Sequence, residues 1–404
     1  FVAGSPPTSA EQTTGRLVAE EITRAQRQAG PEYAFEVGPE RAVCRPPSQG
    51  FAAELSDGVL RIGDRQFMLK DYDRILIVGA GKAVAPMAKA VEDLLGNQIS
   101  DGVIVVKDEH GLPLDKIKVR VASHPVPDAR GVAGTEEILA LVEKATARDL
   151  IICLISGGGS ALLIAPVEEI SLADKQRTTK LLLGCGATIH EFNTVRKHLS
   201  RAKGGRLAQK AYPATVTSLI LSDVVGDDLD VIASGPTVFD SSTFHDAEQI
   251  LKGYGIWDQL PANVRNHLEK GSAGRIEDTP KSDHTAFEKC SQVLVGTNLL
   301  ALEAAGQEAK KLGYQPLILS SKVEGEAREV AKFYTAIAKE VLSSNHPMEP
   351  PLCVLAGGET TVTIAGEGRG GRNQEFALAS ALSIDGVKNV VVLSGGTDGT
   401  DGPT

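Results

Sequence analysis

A lysine stands where an apolar run gives way to a helical pattern, in the stretch VGAGKAVAPM (78–87). A lysine at a helix N-terminus opposes the helix dipole unless an anion lies beside it. A dinucleotide-binding turn needs Gly or Ala where Val84 stands, and an ATP-binding P-loop needs a longer spacer and Ser or Thr after the lysine. The pattern therefore predicts that Lys82 contacts a phosphate or a carboxylate, with Gly79 and Gly81 providing bare backbone for its approach.

Three consecutive glycines lie between two serines in LISGGGSALL (154–163), directly after an apolar run. A nucleophile elbow requires Gly-x-Ser-x-Gly, and neither serine meets that spacing. Two interpretations remain: a tight turn that needs only flexible backbone, or a nest of N–H donors that binds an anion. In the second interpretation the phosphate-binding residues are Ser156, Gly157, Gly158, Gly159 and Ser160.

Basic side chains collect in two other glycine stretches. These are EGRGGRNQEFAL (367–378), with Arg369 and Arg372, and NTVRKHLSRAKGGRLA (193–208), with Arg196, Lys203 and Arg206. A guanidinium held on a glycine turn suits bidentate binding of phosphate or carboxylate. The alternative is that these side chains are simply solvated.

Acidic side chains follow two further apolar runs. They are Asp223, Asp227, Asp228 and Asp230 in SDVVGDDLD (222–230), and Asp398 and Asp401 in GTDGTDG (396–402). Carboxylates beside phosphate-binding loops suit Mg²⁺, which takes one or two carboxylates together with substrate oxygens. Asp-Gly pairs also occur as ordinary turns, so a turn is the alternative interpretation.

The elements that must position these residues alternate between two periodicities. Apolar β-branched runs occur at 74–79, 102–106, 149–156, 215–222, 291–296, 315–320, 352–358 and 389–396, and helical spacing occurs at 81–96, 135–147, 298–313 and 325–344. Strands that are apolar on both faces and alternate with helices are typical of parallel sheets covered on both sides. The predicted fold class is α/β. Most glycine motifs directly follow a strand, where α/β proteins bind their ligands.

The composition of the chain limits the classes of partner and the cellular setting that we expect. The chain has 404 residues, 42% of them hydrophobic, and a formal net charge of -10, which argues against nucleic acid as the main partner. No apolar run reaches the roughly 18–20 residues of a membrane span. The five cysteines include no CxxC pair, so we expect a reducing, cytoplasmic setting with Cys153 and Cys353 in the core. A polar segment at 269–290 indicates a linker between domains at 10–270 and 285–404.

Seven motifs occur in an order that resembles one enzyme family. They are VGAGKA, LISGGGSALL, the block from NTVRK to KGGRLA, SLILSDVVGDDLDVIASGPT, LAGGETTV, GRGGRNQEFAL and LSGGTDGTDGPT. Together they resemble the class II glycerate kinases, whose C-terminal part is the MOFRL domain and some of whose bacterial members are labelled hydroxypyruvate reductases. Family members continue beyond the last motif, so we expect an incomplete C-terminal domain here.

The resemblance implies ATP- and Mg²⁺-dependent phosphorylation of D-glycerate, in most members on the C2 hydroxyl, giving 2-phosphoglycerate. It also implies a Rossmann-like N-terminal domain that faces a smaller α/β C-terminal domain across the catalytic cleft. The family's catalytic lysine falls on Lys82 and its catalytic arginine on Arg372. In-line phosphoryl transfer would depend mostly on positioning and charge neutralisation.

The expected site follows from these motifs. Besides Lys82, Arg372 and the two glycine turns, we expect Arg196, Lys203, Glu359 and Asn373 to bind substrate and Asp223, Asp227 and Asp398 to hold Mg²⁺. The expected partners are D-glycerate and ATP, and a homodimer is left open. One alternative is an NAD(P)-dependent hydroxypyruvate reductase that uses VGAGKA as its dinucleotide loop. The other is a sugar-acid sensor that binds without turnover.

Overall fold

Strands and helices alternate along the chain, which confirms the predicted α/β class. The computed structural model describes residues 2–3, 34–38, 41–45, 53–366, 368–397 and 401. The strands are β1 (Val2–Ala3), β2 (Ala34–Gly38), β3 (Arg41–Arg45), β4 (Ala53–Ser56), β5 (Val59–Ile62), β6 (Arg65–Met68), β7 (Arg74–Ala80), β8 (Ile99–Lys107), β9 (Lys118–Ala122), β10 (Asp149–Ile155), β11 (Thr215–Leu221), β12 (Cys290–Gly296), β13 (Gln315–Glu326), β14 (Leu352–Thr361) and β15 (Val390–Val391).

The helices are α1 (Val84–Leu95), α2 (Ala129–Val142), α3 (Gly159–Leu162), α4 (Leu172–Gly184), α5 (Ile189–His198), α6 (Arg206–Ala211), α7 (Phe244–Gly253), α8 (Ala262–Ser272), α9 (Asn298–Lys311), α10 (Ala327–Ser344) and α11 (Arg372–Ser383). Short 3₁₀ turns lie at Leu69–Asp71, Gly96–Gln98, Ile232–Ser234, Trp257–Gln259 and Thr285–Lys289.

The described residues form two compact units. The larger takes in those of 35–44 and 51–295, and the smaller takes in those of 1–34, 45–50 and 296–404. The polar segment at 269–290 belongs to the larger unit, where Thr279 is buried and its hydroxyl donates to Asp240. The domain limits drawn from the sequence, 10–270 and 285–404, remain predictions.

A six-stranded sheet in the order β12-β11-β10-β7-β8-β9 forms the centre of the larger unit. The pairs from β11 through β10, β7 and β8 to β9 are parallel. Every residue of β10 is buried, as its continuous apolar run predicts. Since parallel strands end at the same edge, the turns that follow β7, β10 and β11 lie at one edge of this sheet.

A second core in the larger unit is helical. Helices α4, α5, α7 and α8 contribute apolar side chains to one cluster, in which Phe244 is 1% exposed. Ser171 and Thr188, the N-cap residues of α4 and α5, each form a capping box with an acid three residues later. These caps fix where the two helices begin, and α4 and α5 carry the cations described below.

The larger unit also contains an antiparallel sheet that the sequence does not predict. Its order is β2-β3-β4-β5-β6. The turn between β4 and β5 has Asp57 at φ 52° and Gly58 at φ 72°, the backbone of a type I′ hairpin. The strands are four or five residues long, too short for their alternation to stand out from loop sequence.

The smaller unit is built on a sheet in the order β13-β14-β1-β15. Strands β13 and β14 are parallel, and β1 is antiparallel to both β14 and β15. Its two apolar clusters include Leu302 of α9 and Val341 of α10, each packed with residues of β14. Of the run predicted at 389–396, only Val390–Val391 forms a strand.

The predicted burial of two cysteines is confirmed among the described residues. Cys153 and Cys353 are both fully buried, and burial raises the pKa of the Cys153 thiol to about 12. No described helix combines the length and the apolar character that a membrane crossing requires.

Candidate active site

The two glycine turns of the larger unit are hydrogen-bonded to each other. The Lys82 N–H donates to the Gly157 carbonyl at 2.8 Å, and the Ala83 N–H donates to Ser156 Oγ at 3.0 Å. Gly81 has φ +152°, and a Cβ atom there would lie 2.1 Å from Ser156 Oγ. Only glycine permits this approach, so the turn after β7 and the turn after β10 form one structure.

Two N–H groups of the second turn point to an acceptor outside it. The N–H groups of Gly157 and Gly158 donate no hydrogen bond to any residue that the structure describes. Gly158 has φ +80° and precedes α3, which is a single turn of four residues. Adjacent backbone donors around a left-handed residue form a nest that binds an anion. Because α3 has only one turn, its dipole is small, and the two backbone N–H groups are the main feature of this turn that suits an anion.

The Lys82 side chain lies beside this nest. A Cβ atom on Gly158 would lie 3.1 Å from Lys82 Cγ and also 3.1 Å from the His124 ring. A Cβ atom on Gly157 would lie 1.9 Å from an oxygen of the Asp223 carboxylate. The structure thus gathers a lysine, a histidine and a carboxylate around two bare N–H groups, although the three come from turns after different strands.

Asp223 fits the metal that the motifs suggest. Its side chain is exposed, and its carboxylate lies against the nest. Mg²⁺ binds through one or two carboxylates and the oxygens of substrate phosphates, so a solvent-facing carboxylate at a candidate phosphate site is an appropriate ligand. Asp227 adopts φ 58° on the same loop, and Asp398 lies outside the described residues.

A different group of possible metal ligands lies farther along this loop. His190, Asp228 and Asp230 have ligand atoms within 4.8 Å of one another, the one such group of three found among the described residues. Asp230 already accepts a hydrogen bond from Lys197 Nζ at 2.8 Å. Imidazole suits transition metals better than Mg²⁺, so this group does not replace Asp223 as the candidate magnesium ligand.

Ser160 connects the glycine turn to two other motifs. Its hydroxyl is hydrogen-bonded to the Ser234 hydroxyl, which donates to Asn193 Oδ1 at 2.9 Å. Ser234 and Asn193 are buried. This chain of hydrogen bonds fixes Ser160 as a structural link, and the side chain that reaches the same turn from α5 is Arg196, which donates to the Ser160 carbonyl at 3.0 Å.

Behind that turn lies a group of cations that we call the cation cluster: Lys175, Arg196 and Lys203. Lys203 is completely buried and donates to the Ala233 carbonyl at 3.4 Å. Burial lowers its pKa well below the usual range, and the charges of the other two cations lower it further. Burial also lowers the pKa of Arg196 to about 10. The sequence predicts Arg196 and Lys203 as substrate ligands and does not predict Lys175.

In the smaller unit, the predicted residues lie around the start of α11. Arg372 donates to the Glu359 carboxylate at 2.6 Å. The Asp401 carboxylate accepts from the N–H groups of Asn373 and Gln374 at 3.0 and 2.9 Å, which caps this helix. Asp401 therefore has a structural role at a helix N-terminus, and Glu359 holds the guanidinium in place.

Asn373 borders a cavity in the same unit. The Asn373 side-chain carbonyl accepts from the Ser394 hydroxyl at 2.7 Å. The cavity has a volume of about 180 Å³, and its lining includes Gly357, Gly358 and the aromatic rings of Tyr334 and Phe376. The Asn373 side-chain nitrogen donates to Asp401 Oδ1 at 3.1 Å, so both ends of this amide hold hydrogen bonds within the unit.

Comparisons with known proteins show the family of this chain. A family model described as a domain of unknown function (DUF4147) matches residues 37–269, and the MOFRL family model matches residues 352–404. The Glycerate 2-kinase of Pyrococcus horikoshii is 44% identical over 87% of this chain and 78% of its own length. The chain belongs to the class II glycerate kinase family. The Glycerate kinase of Rattus norvegicus is 39% identical over 98% of this chain and 83% of its own length.

Solved structures give the same family. The crystal structure of Glycerate kinase from Thermotoga maritima is similar with a TM-score of 0.79 and 36% identity, over 98% of this chain and 86% of that one. Asn193 is the first residue of the NTVRK motif, and Ser234 lies in the IASGPT motif. These motifs are the sequence signal that could have identified both residues as part of the site. His124 and Lys175 lie outside the quoted motifs and reach the site only through folding.

Proposed function

We propose that this protein phosphorylates D-glycerate with ATP at the C2 hydroxyl, giving 2-phosphoglycerate, by in-line transfer. The single observation that carries the proposal is the pairing of two kinds of anion site in the larger unit. The bare N–H groups of Gly157 and Gly158 beside Lys82 suit phosphate, and the cation cluster behind Ser160 suits a carboxylate. Glycerate kinases need both, because one substrate is a nucleotide and the other is a small acid.

We assign the phosphate end to the two glycine turns. The Gly157 and Gly158 N–H groups would bind phosphate oxygens, and the Lys82 ammonium would neutralise the charge of the transferring group. Asp223 would hold Mg²⁺, which supplies further neutralisation of the phosphates when it is bound. Gly79, Gly81 and Ser156 keep the two turns together.

The acid end is assigned to Arg196 and Lys203. Lys203 is completely buried and Arg196 is half-buried, and each donates a hydrogen bond to a backbone carbonyl. Removing a cation from water without an anionic partner is costly, so a carboxylate ligand would offset that cost. This assignment makes the carboxylate of glycerate, rather than its hydroxyls, the main source of its affinity.

In the smaller unit, we assign Arg372 as the catalytic arginine and Asn373 as a substrate ligand. Glu359 already orients the Arg372 guanidinium through a hydrogen bond at 2.6 Å. A guanidinium held by one carboxylate keeps its remaining N–H groups for a phosphoryl group. Glu359 thus acts as a positioning residue.

A reductase is less compatible with the turn after β7. Val84 stands where a dinucleotide fingerprint needs Gly or Ala for close packing of the helix, and it is completely buried at the first position of α1. A pyrophosphate could not replace that side chain without disturbing the core.

The experiment gives the protein two substrate pairs in separate reactions. We expect consumption of ATP with D-glycerate and no oxidation of NADH or NADPH with hydroxypyruvate. Phosphorus NMR of the product should show the resonance of 2-phosphoglycerate. A product with the phosphate on C3 would contradict the assigned position, and NADH or NADPH oxidation without ATP consumption would contradict the kinase reaction itself.

A further inference from the structure

A histidine and two aspartates that are far apart in sequence lie together at the surface of the larger unit. His190 is the second residue of α5, and Asp228 and Asp230 lie on the loop that follows β11. One ligand atom of each lies within 4.8 Å of those of the other two. We call these three residues the His-Asp site. The proposed function gives none of them a role.

The backbone on both sides of the His-Asp site is fixed by hydrogen bonds of its own. At the start of α5, Thr188 and Glu191 form a capping box around His190. On the loop, the Asp228 carbonyl accepts from the Val231 N–H at 3.0 Å. Because neither element has to form when a ligand arrives, the entropy cost of binding is limited mainly to the side chains.

The ligand atoms of the His-Asp site are accessible. The side chains of His190 and Asp228 are exposed, and neither has a hydrogen bond or ion pair with a residue that the structure describes. At Asp230, Lys197 Nζ donates to Oδ2 at 2.8 Å and also pairs with Asp240 at 3.3 Å. Such a bond orients a carboxylate from behind, and it leaves Asp230 Oδ1 for a ligand.

The three side chains suit a transition-metal ion better than Mg²⁺. Imidazole together with carboxylates binds Zn²⁺ and similar divalent ions, whereas Mg²⁺ prefers oxygen ligands alone. Bonds from Zn²⁺ to these atoms are about 2.0–2.2 Å long, so the ion joins atoms up to about 4.4 Å apart. Small rotations of exposed side chains bring the present separations to that value. Two carboxylates also match the charge of a divalent ion.

We propose that His190, Asp228 and Asp230 bind one divalent transition-metal ion, and that this ion ties the loop after β11 to helix α5. The loop carries Asp223 and the helix carries Arg196, so the bound ion restrains two parts of the candidate active site. Three protein ligands leave a fourth position for water. The inference does not rest on the kinase reaction, because the ion binds without substrate.

The first test is calorimetric titration of the protein with Zn²⁺ in excess Mg²⁺ and without nucleotide. We expect one Zn²⁺ per chain. His190→Ala and Asp228→Asn each remove a ligand and should raise the Kd for Zn²⁺ at least about tenfold, since even the partners of metal ligands are worth that much. The matched control is His245→Ala, which removes an exposed histidine of α7 and should bind as the wild type does. Asp223→Asn should also keep the wild-type affinity for Zn²⁺, which separates the His-Asp site from the candidate magnesium ligand.

The second test measures the restraint on the loop. Amide hydrogen exchange over residues 224–231 is followed with and without Zn²⁺. Exchange should slow on addition of Zn²⁺ in the wild type and should not change in His190→Ala. Because His190 is exposed, this variant should keep the wild-type melting temperature in the absence of Zn²⁺.

Three results would count against the proposal. Absence of Zn²⁺ binding by the wild type, or the same affinity in His190→Ala as in the wild type, would refute the His-Asp site. Binding of Zn²⁺ with unchanged exchange in the loop would refute the restraint. None of these results bears on the proposed function, whose own test is consumption of ATP with D-glycerate.

Discussion

At the scale of single residues, Arg372 separates the effect of charge from that of geometry. If its guanidinium binds the transferring phosphoryl group, loss of that contact should cost roughly 3–4 kcal/mol of transition-state stabilisation. Arg372→Ala should then lower kcat about a hundred- to a thousandfold. Arg372→Lys, which keeps the charge but loses the bidentate geometry, should recover only part of the loss. Steady-state kinetics of both variants provide the measurement.

The control for Arg372 is Lys388→Ala, an exposed cation of the same unit. It should behave as the wild type. A carboxylate-binding role for Arg372 would instead raise the KM for glycerate with kcat nearly intact. Wild-type kinetics in Arg372→Ala would exclude a catalytic role, and an unchanged melting temperature would show that the fold is preserved.

The sequence predicts the role of a single residue best where that residue lies inside a glycine motif. Lys82 could be predicted because a lysine at that turn is unfavourable without an anion. His124 and Lys175 could not, because each reaches the site from a separate loop or helix and nothing near it in sequence differs from an ordinary surface. Ser160 lies in the predicted phosphate-binding turn, and the hydrogen bond between its hydroxyl and that of Ser234 gives it a structural partner as well.

At the scale of elements, substitutions in the turn after β10 can separate the effect of backbone strain from the effect on phosphate binding. Gly158→Ala places a Cβ atom 3.1 Å from both Lys82 and His124, at a backbone φ of +80°. The φ angle alone should cost about 1–2 kcal/mol of stability. The added methyl group also lies where a phosphate would approach the N–H groups, so we expect a large fall in ATP affinity, measured by calorimetry.

Gly186→Ala is the matched control. Gly186 has φ +75° and no atom within 4 Å of an added Cβ, so it carries the same strain in open space. Both variants should lose a similar free energy of unfolding, and only Gly158→Ala should lose nucleotide binding. Equal ATP affinity in the two variants would mean that the turn after β10 does not bind phosphate.

Long buried elements were predictable and short ones were not. The run that forms β10 is apolar on both faces, a pattern that few structures other than a central parallel strand produce. The hairpin at Asp57 and Gly58 lies in strands of four residues, where alternation is too brief to recognise. Helix α3 is a single turn, held by packing against its neighbours rather than by a periodic sequence.

At the scale of the whole molecule, turnover should depend on a divalent cation while the fold should not. The described cores are apolar clusters in both units, and Asp223 is exposed. EDTA should therefore abolish phosphorylation of D-glycerate, and excess Mg²⁺ should restore it, with little change in melting temperature. Turnover that persists in EDTA would refute the metal assignment.

Asp223→Asn should raise the Mg²⁺ concentration needed for half-maximal rate, whereas Asp227→Asn tests the other carboxylate predicted on this loop.

The hydrogen-bonded chain from Ser160 through Ser234 to Asn193 joins three segments that are far apart in sequence. Loss of any one member would leave a buried polar group of its neighbour without a partner, which costs about 1–3 kcal/mol. Substitutions at these positions should therefore be epistatic: a change tolerated in one lineage would be deleterious in another that retains the other two. In descent the three positions should covary, and a lineage that replaced one hydroxyl by an apolar group would be expected to have replaced its partners as well.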